Sequence, residues 1–418
     1  MNFFQNIIST LMKRSVKSKY SGLEDFGVLQ KDISKAVKSV MSANGEVSSL
    51  VYAEHLLGLI ENKNDEELIT FLKELKNNYD IDTRALIDEV KNYSIEKSDE
   101  NLKKVTLASE PGWHEIFRRL NATPNGTYRL VKLRERIKNL KDKSLDSFET
   151  SLLKLFKYWF NPSFLVLEKI DWSTPASILE KIIAYEAVHA ITSWDDLRAR
   201  LAPSDRKCFA FFHPLIPDEP LIFVEVALCK KVPESINEII KIERNVINPE
   251  HADTAVFYSI SNCQNGLAGI SFGNFLIKKV AHDLKTSLPN LKSFVTLSPV
   301  PGLMRWIEKN DPDLHEKCIN GQVNNETFLK KALFYLTKSN RQDGLPNDPV
   351  SRFHLGNGAI LEKINLNADN SKKGVSESLG LMVNYLYDLD IVEKNHELFF
   401  KTKEVKVSHE IKSLNKTL

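Results

Sequence analysis

Three stretches of the sequence combine residue types that chemistry needs with turns that would expose them. The first is Gln264-Asn265-Gly266-Leu267-Ala268-Gly269-Ile270-Ser271-Phe272-Gly273-Asn274. It follows the β-branched and aromatic run Ala255-Val256-Phe257-Tyr258-Ser259-Ile260-Ser261 and precedes Leu276, Ile277, Val280, Ala281 and Leu284 at helical spacing. Glycines there let backbone N–H groups converge, and a helix N-terminus adds partial positive charge, so the loop has the makings of a phosphate cradle. A tight strand-to-helix connection needs the same glycines. No Gly-Lys-Ser/Thr follows, which excludes a Walker loop, and glycine at 266, 269 and 273 is not the dinucleotide pattern GxGxxG. Gly269-Ile270-Ser271-Phe272-Gly273 fits GxSxG. A nucleophile elbow, however, puts its serine at the end of a strand, and here a polar stretch from Asn262 to Asn265 intervenes.

The second stretch is Leu297-Ser298-Pro299-Val300-Pro301-Gly302, where an apolar run ends in a serine and two prolines force a turn. A hydroxyl at the carboxyl edge of a strand is where α/β sheets place ligands, although a serine there also makes local turn hydrogen bonds. The third is Arg352-Phe353-His354-Leu355-Gly356-Asn357-Gly358, a histidine just before a Gly-Asn-Gly turn. Histidine moves protons near neutral pH, and it is also a common structural residue. The ten histidines do not cluster, there is no HExxH, and Cys208, Cys229, Cys263 and Cys318 form no CxxC pair. Spacing therefore supplies neither a metal site nor a disulfide framework, and a reducing compartment fits best.

The elements that must hold these residues follow from the texture of the chain. Its 418 residues predict two or three packed units. A net charge of +2, with 57 basic and 55 acidic residues, gives no footprint for nucleic acid, and no apolar run is long enough to span a membrane. The first nineteen residues carry four basic side chains and no acid, with Phe3, Phe4, Ile7, Ile8, Leu11 and Met12 at helical spacing. Such a helix suits packing on its own domain and also mitochondrial targeting. Residues 1–190 read as helical, with breaks at Glu110-Pro111-Gly112, Thr123-Pro124-Asn125-Gly126 and Asn161-Pro162. Phe71, Leu72 and Leu75, then Leu86, Ile87 and Val90, repeat at helical spacing, and Phe164-Leu165-Val166-Leu167 reads as a buried helix. From about residue 200 the pattern turns to strands: Cys208–Phe212 and Leu221–Leu228 as an antiparallel hairpin, Ala255–Ser261, Phe294–Leu297, Ala359–Leu366 and Gly380–Leu389. Mixed strands and helices after a helical half make an α+β protein of two domains.

Tyr185-Glu186-Ala187-Val188-His189, Phe211-Phe212-His213-Pro214-Leu215, Glu219-Pro220-Leu221, Phe257–Ser261, Gly266-Leu267 and Phe275–Lys278 carry a family resemblance. So do Leu297–Gly302, Phe353-His354-Leu355, Asn357-Gly358-Ala359, Ile364-Asn365, Asp369, Gly380-Leu381-Met382 and Asn384-Tyr385. Taken in this order the sequence resembles the malonyl-CoA decarboxylase family, densely from about 110 to 390 and weakly before 100. The resemblance implies a helical oligomerisation domain over 1–190, assembling a dimer or tetramer. It implies an N-acetyltransferase-like (GNAT) catalytic domain with a mixed sheet over 191–418. It puts the coenzyme A pyrophosphate on the backbone of Ala268, Gly269, Ile270, Ser271, Phe272, Gly273 and Asn274, and the catalytic pair on Ser298 and His354. Ser259 and Tyr387 look like its supporting active-site residues. By the resemblance, animal members carry a Glu where this chain has Ser271; if that Glu orients the histidine there, a different group must do so here.

The chemistry so implied is decarboxylation of malonyl-CoA to acetyl-CoA without biotin, ATP or metal. The enzyme must hold the carboxylate perpendicular to the thioester plane, stabilise the enolate oxygen and protonate C2. A GNAT acyltransferase, a non-catalytic coenzyme A-binding scaffold and a hydrolase using Ser271 are the rival readings. The expected location is a bacterial cytoplasm, with the mitochondrial matrix second.

Overall fold

The computed structural model describes residues 32–417, so the amphipathic helix expected over Phe3–Met12 lies outside the described residues. Chain contacts gather the described residues into two compact units. One runs to Asn161 and also takes in Gln264–Ile270; the other comprises Pro162–Cys263 and Ser271–Leu418. The parting at Asn161 comes earlier than the boundary expected at 190, because the chain beyond Pro162 joins the sheet.

In the helical unit the three expected breaks all fall between helices. Asp65–Tyr79 starts with a capping box, Asn64 accepting from the Glu67 amide while the Glu67 carboxylate accepts from the Asn64 amide. Phe71, Leu72 and Leu75 form its buried stripe and join Leu56, Phe117 and Leu130 in the core. Thr83–Ile95 is a helix as its spacing predicts, yet neither it nor Asp99–Ala108 buries a residue. The segment Gln264–Ile270 is held by Arg134 from the helix Gly126–Leu140. The Arg134 Nη1 donates to the carbonyls of Gly266 (2.6 Å) and Ala268 (2.9 Å), and Nη2 pairs with Glu149 at 3.1 Å. Gly266 lies so close to that helix that a Cβ there would sit 2.0 Å from the Val131 carbonyl oxygen.

The other unit is built on an eight-stranded mixed sheet. Its strands are β1 (Val166–Ile170), β2 (Arg206–Phe212), β3 (Ile222–Cys229), β4 (Thr254–Asn262), β5 (Ser293–Thr296), β6 (Ser298–Pro299), β7 (Ile360–Asn365) and β8 (Met382–Leu386). They lie in the order β1-β2-β3-β4-β5-β8, with β6 and β7 also paired to β8. The β2–β3 hairpin and β4, β5, β7 and β8 match the sequence reading, whereas β6 falls where the prolines read as a turn. β1 corrects it: Val166 and Leu167 pair antiparallel with Phe212 and Phe211 instead of forming a buried helix. A short apolar run has no periodicity to separate helix from strand, and the open edge of β2 decides. β3 is buried on both faces, as its unbroken apolar run requires. Cys208, Ala210, Phe212 and Phe223 pack against the helices Ala176–Tyr185 and Trp194–Leu201.

β4 and β5 are parallel, joined by the helix Gly273–Ser287, and they pair only from Thr254 with Ser293 to Phe257 with Thr296. β4 continues to Asn262 without β5, which passes through β6 toward β8. Opposite Glu225 and Val226 the β3–β4 register slips, leaving Tyr258 as the extra residue of a bulge. The sheet is mixed, as the resemblance implies; the parting of the parallel pair after a bulge is a feature that the sequence reading did not contain.

Gly266→Ala forces the loop away from Val131 and should lower stability by about 1–3 kcal/mol, the usual cost of overpacking. Chemical denaturation of the two proteins measures it; equal midpoints would show that the close approach is dispensable.

Candidate active site

Ser298 and His354 are brought together by two elements with different origins. Ser298 sits in β6, where Thr296 has interrupted the β5–β8 ladder. The Thr296 side chain takes the place of a ladder acceptor, its Oγ1 receiving the Tyr385 amide at 3.1 Å, while its carbonyl accepts from Asn384 Nδ2 at 2.8 Å. His354 lies in the helix Pro349–Gly356, one turn before the Gly-Asn-Gly stretch. That helix starts on an Asp348 N-cap with Pro349 in its first turn, a combination that fixes helix starts generally.

His354 Nε2 is 3.1 Å from Ser298 Oγ, and His354 Nδ1 is 2.8 Å from Tyr387 Oη. Ser298 Oγ is in turn 2.8 Å from Thr296 Oγ1, to which it donates. The Tyr385 ring stacks on the imidazole, with centroids 4.7 Å apart and planes 23° from parallel. All these side chains are buried. Burial alone pulls the His354 pKa down from 6.5 to about 3, so the imidazole is neutral at physiological pH. Burial likewise pushes the Tyr387 and Tyr385 hydroxyls up, so both are protonated.

One assignment of hydrogens satisfies this chain without charge. Tyr387 donates to Nδ1, Nε2–H donates to Ser298, and Ser298 donates to Thr296. Tyr387 therefore supplies the contact at Nδ1. Ser271 is exposed, past the end of β4 and far from an elbow geometry.

Ser259 has a different set of partners. Its Oγ lies 2.8 and 2.7 Å from the two carboxylate oxygens of Glu186, and 3.4 Å from Ser261 Oγ. Glu186 also accepts the Val188 and His189 amides, each at 2.8 Å. The hydroxyl hydrogen of Ser259 is thus committed to a carboxylate and not to the His354 chain.

Within the candidate cradle, the amides of Ala268 and Ile270 are spent on turn bonds to the Asn265 and Leu267 carbonyls, both 3.1 Å. Gly269 takes φ +93°, which favours glycine. In the sheet unit the helix begins at Gly273, and the first-turn amides of Gly273, Asn274 and Phe275 have no partner inside the helix. A Cβ at Gly273 would lie 2.5 Å from the Phe353 ring, so glycine lets this helix start against the residue next to His354. Among the described residues no group of three His, Cys, Asp or Glu side chains could hold a metal ion. All four cysteines are free.

A family model described as the malonyl-CoA decarboxylase C-terminal domain matches residues 163–325 and 309–418, and one for the N-terminal domain of the same family matches 79–160. The chain belongs to the malonyl-CoA decarboxylase family. The mitochondrial malonyl-CoA decarboxylase of the goose Anser anser anser is 33% identical, over 72% of this chain and 69% of its own length. That of Mus musculus is 30% identical, over 74% and 72%. The crystal structure of malonyl-CoA decarboxylase from Agrobacterium vitis is similar with TM-score 0.86 and 44% identity, covering 92% of this chain and all 100% of that one. The Rhodopseudomonas palustris structure gives 0.85 and 42%, covering 91% and 98%.

For this malonyl-CoA decarboxylase family member, sequence reasoning misses Thr296, Asp348 and Ser351 and gives Glu186 and Tyr385 no role. Asp348-Pro349 is a readable helix-start signal. Thr296 has none, since only strand pairing reveals that its side chain stands in for backbone.

The histidine gives a pH test. Unfolded chain takes a proton at this imidazole below about 6.5, whereas the folded site resists down to about 3, so the folded state loses stability as pH falls through that window. Thermal midpoints of the parent and His354→Gln should therefore converge, or the variant should overtake, between pH 7 and 4. A constant difference across that range would show that the imidazole is not desolvated.

Proposed function

We propose that this protein converts malonyl-CoA to acetyl-CoA and CO2 without biotin, ATP or a metal ion, using His354, Ser298, Ser259 and Tyr387. The observation that carries the mechanism is the uncharged hydrogen-bond chain Tyr387–His354–Ser298. Breaking the bond between C2 and the carboxyl carbon leaves its electron pair on the thioester as an enolate, and CO2 departs. C2 must then receive one proton. With its pKa near 3 the histidine does not carry an imidazolium proton at neutral pH. It serves as a neutral N–H donor instead, a role that a low-pKa imidazole can fill because a thioester enolate is more basic than imidazolate. For this step the Ser298 hydroxyl turns from Thr296 toward C2 and gives up its proton there while it takes the proton from Nε2–H, and the Tyr387 hydroxyl supports Nδ1 as charge develops on the imidazole. Solvent restores the proton after product leaves.

The burial around the pair favours the same chemistry: a carboxylate held in a dry site loses its hydration, and the neutral products do not need it. Ser259, its hydrogen held by Glu186, is assigned a supporting place in the site on the strength of the resemblance. The coenzyme A pyrophosphate is assigned to the stretch from Ala268 to Asn274. Its amide contacts come from the residues not spent on turn bonds, chiefly the first-turn amides of Gly273 and Asn274. Among the described residues no helix is long and apolar enough to cross a membrane. We assign a bacterial cytoplasmic location, in keeping with the higher identity to bacterial structures than to the mitochondrial relatives.

We assign homo-oligomer assembly to the helical unit. Its helices Thr83–Ile95 and Asp99–Ala108 leave Ile87, Val90, Ile95, Leu102 and Leu107 exposed, and a second copy of this chain is the occupant proposed for them. Ile95→Glu with Leu107→Glu should then lower the sedimentation mass without loss of helicity, and an unchanged mass would remove that surface from the assembly.

Purified protein incubated with malonyl-CoA and EDTA, without ATP or biotin, should release acetyl-CoA stoichiometrically, followed by mass spectrometry. His354→Ala should cut turnover by on the order of 10²–10⁴. Near-normal turnover of that variant would end its role as proton donor. Unchanged malonyl-CoA with coenzyme A still tightly bound would move the reading to acyl transfer or a binding scaffold.

A further inference from the structure

The Ser298–His354 contact joins two chain segments that no backbone ladder holds in register. Ser298 leads into the turn Pro299–Gly302, and His354 rides on the helix Pro349–Gly356. Between them lies one buried carboxylate outside the hydrogen-bond chain. Asp348 is fully buried, and its Oδ2 accepts the Ser351 amide at 2.8 Å as the helix N-cap. The other oxygen, Oδ1, has no hydrogen-bond partner and lies against the turn at Gly302. A Cβ at Gly302 would lie 3.7 Å from that Oδ1 and 2.3 Å from Tyr335 Oη, so glycine is what admits the turn to this position.

A third connection runs from the same N-cap to the imidazole. Ser351 Oγ is 2.5 Å from Tyr385 Oη, and the Tyr385 ring is the one stacked on His354. The carboxylate thus touches the turn that follows Ser298, the helix that carries His354, and the residue that fixes the ring over which His354 lies.

We propose that Asp348 is a positioning residue that sets the Ser298–His354 distance by clamping the Gly302 turn to the start of the His354 helix. This rests on the decarboxylase reading of the site and assigns it a residue that touches neither substrate nor reacting atoms. Burial of a carboxyl in this position raises its pKa to about 6, a cost that a helix cap alone does not require, since serine caps as well without a charge.

That difference supplies the test. Asp348→Ser keeps an N-cap but is too short to engage Gly302, whereas Asp348→Asn keeps the length and loses the charge. If the clamp is the function, both variants melt cooperatively and lose kcat by about ten- to a hundredfold, with KM for malonyl-CoA within about twofold. In both, the 15N shifts of His354 should move away from the pattern of one tautomer held by Ser298 and Tyr387. Asp348→Ser with kcat within about twofold of the parent and unchanged imidazole shifts would overturn the proposal, because a cap would then suffice. The nitrogen shifts need no turnover. A parent protein that leaves malonyl-CoA untouched therefore defeats the decarboxylase reading, while the shifts still decide the clamp.

Discussion

A neutral imidazole buried in a sheet unit constrains everything around it. No charged group adjusts the His354 pKa; burial alone does so, and the position therefore tolerates only partners that are themselves uncharged. Serine, threonine and two tyrosines meet that condition, and each is supplied by a different irregularity. Thr296 breaks a ladder, Ser298 follows the break, Tyr387 stands just past the end of β8, and Tyr385 turns its ring under the helix. A regular sheet would have paired these backbone groups and pointed the side chains elsewhere. The site exists because the β5–β8 ladder fails at one residue.

Charge has been moved out to a second, separate layer. Glu186 gathers Ser259, Ser261 and two amides, and Arg200 pairs with Glu225 and Asp196. Glu225, fully buried beside Glu186, is raised to about 8 by desolvation, and the His189 imidazole falls to about 4 for the same reason. Buried polar groups of this kind are costly unless paired, so they are concentrated where hydrogen bonds are dense. The division leaves the histidine in a site of low polarity while β4 presents polar groups along its length beyond the parting from β5.

Much of this architecture is legible in the amino-acid sequence. Alternating and continuous apolar runs locate β2 to β5, β7 and β8, and the Pro and Gly breaks separate the helices, because those signals reflect local sterics that hold in any context. Ser298, His354 and Tyr387 are readable through family order rather than through spacing, since a lone serine or histidine has no local signature. What stays hidden depends on tertiary pairing. β1 is a strand only because β2 offers an edge, and Leu86, Ile87 and Val90 repeat like a core stripe on a helix that buries nothing. Ser259 looks like a member of the His354 group, and its actual partner, seventy-three residues away, cannot be inferred from the chain.

The route of the backbone has its own consequence for how the protein is made. Arg134 lies in a helix synthesised early, yet the carbonyls that satisfy its guanidinium belong to Gly266 and Ala268. On the ribosome the helical unit must wait, with a buried cation that has Glu149 but lacks its two carbonyl acceptors, until β4 and the loop after it have emerged. Its completion is therefore timed by the translation of the sheet unit, and a fragment ending at Asn161 would have the α-helices described for the unit but not the segment that finishes it.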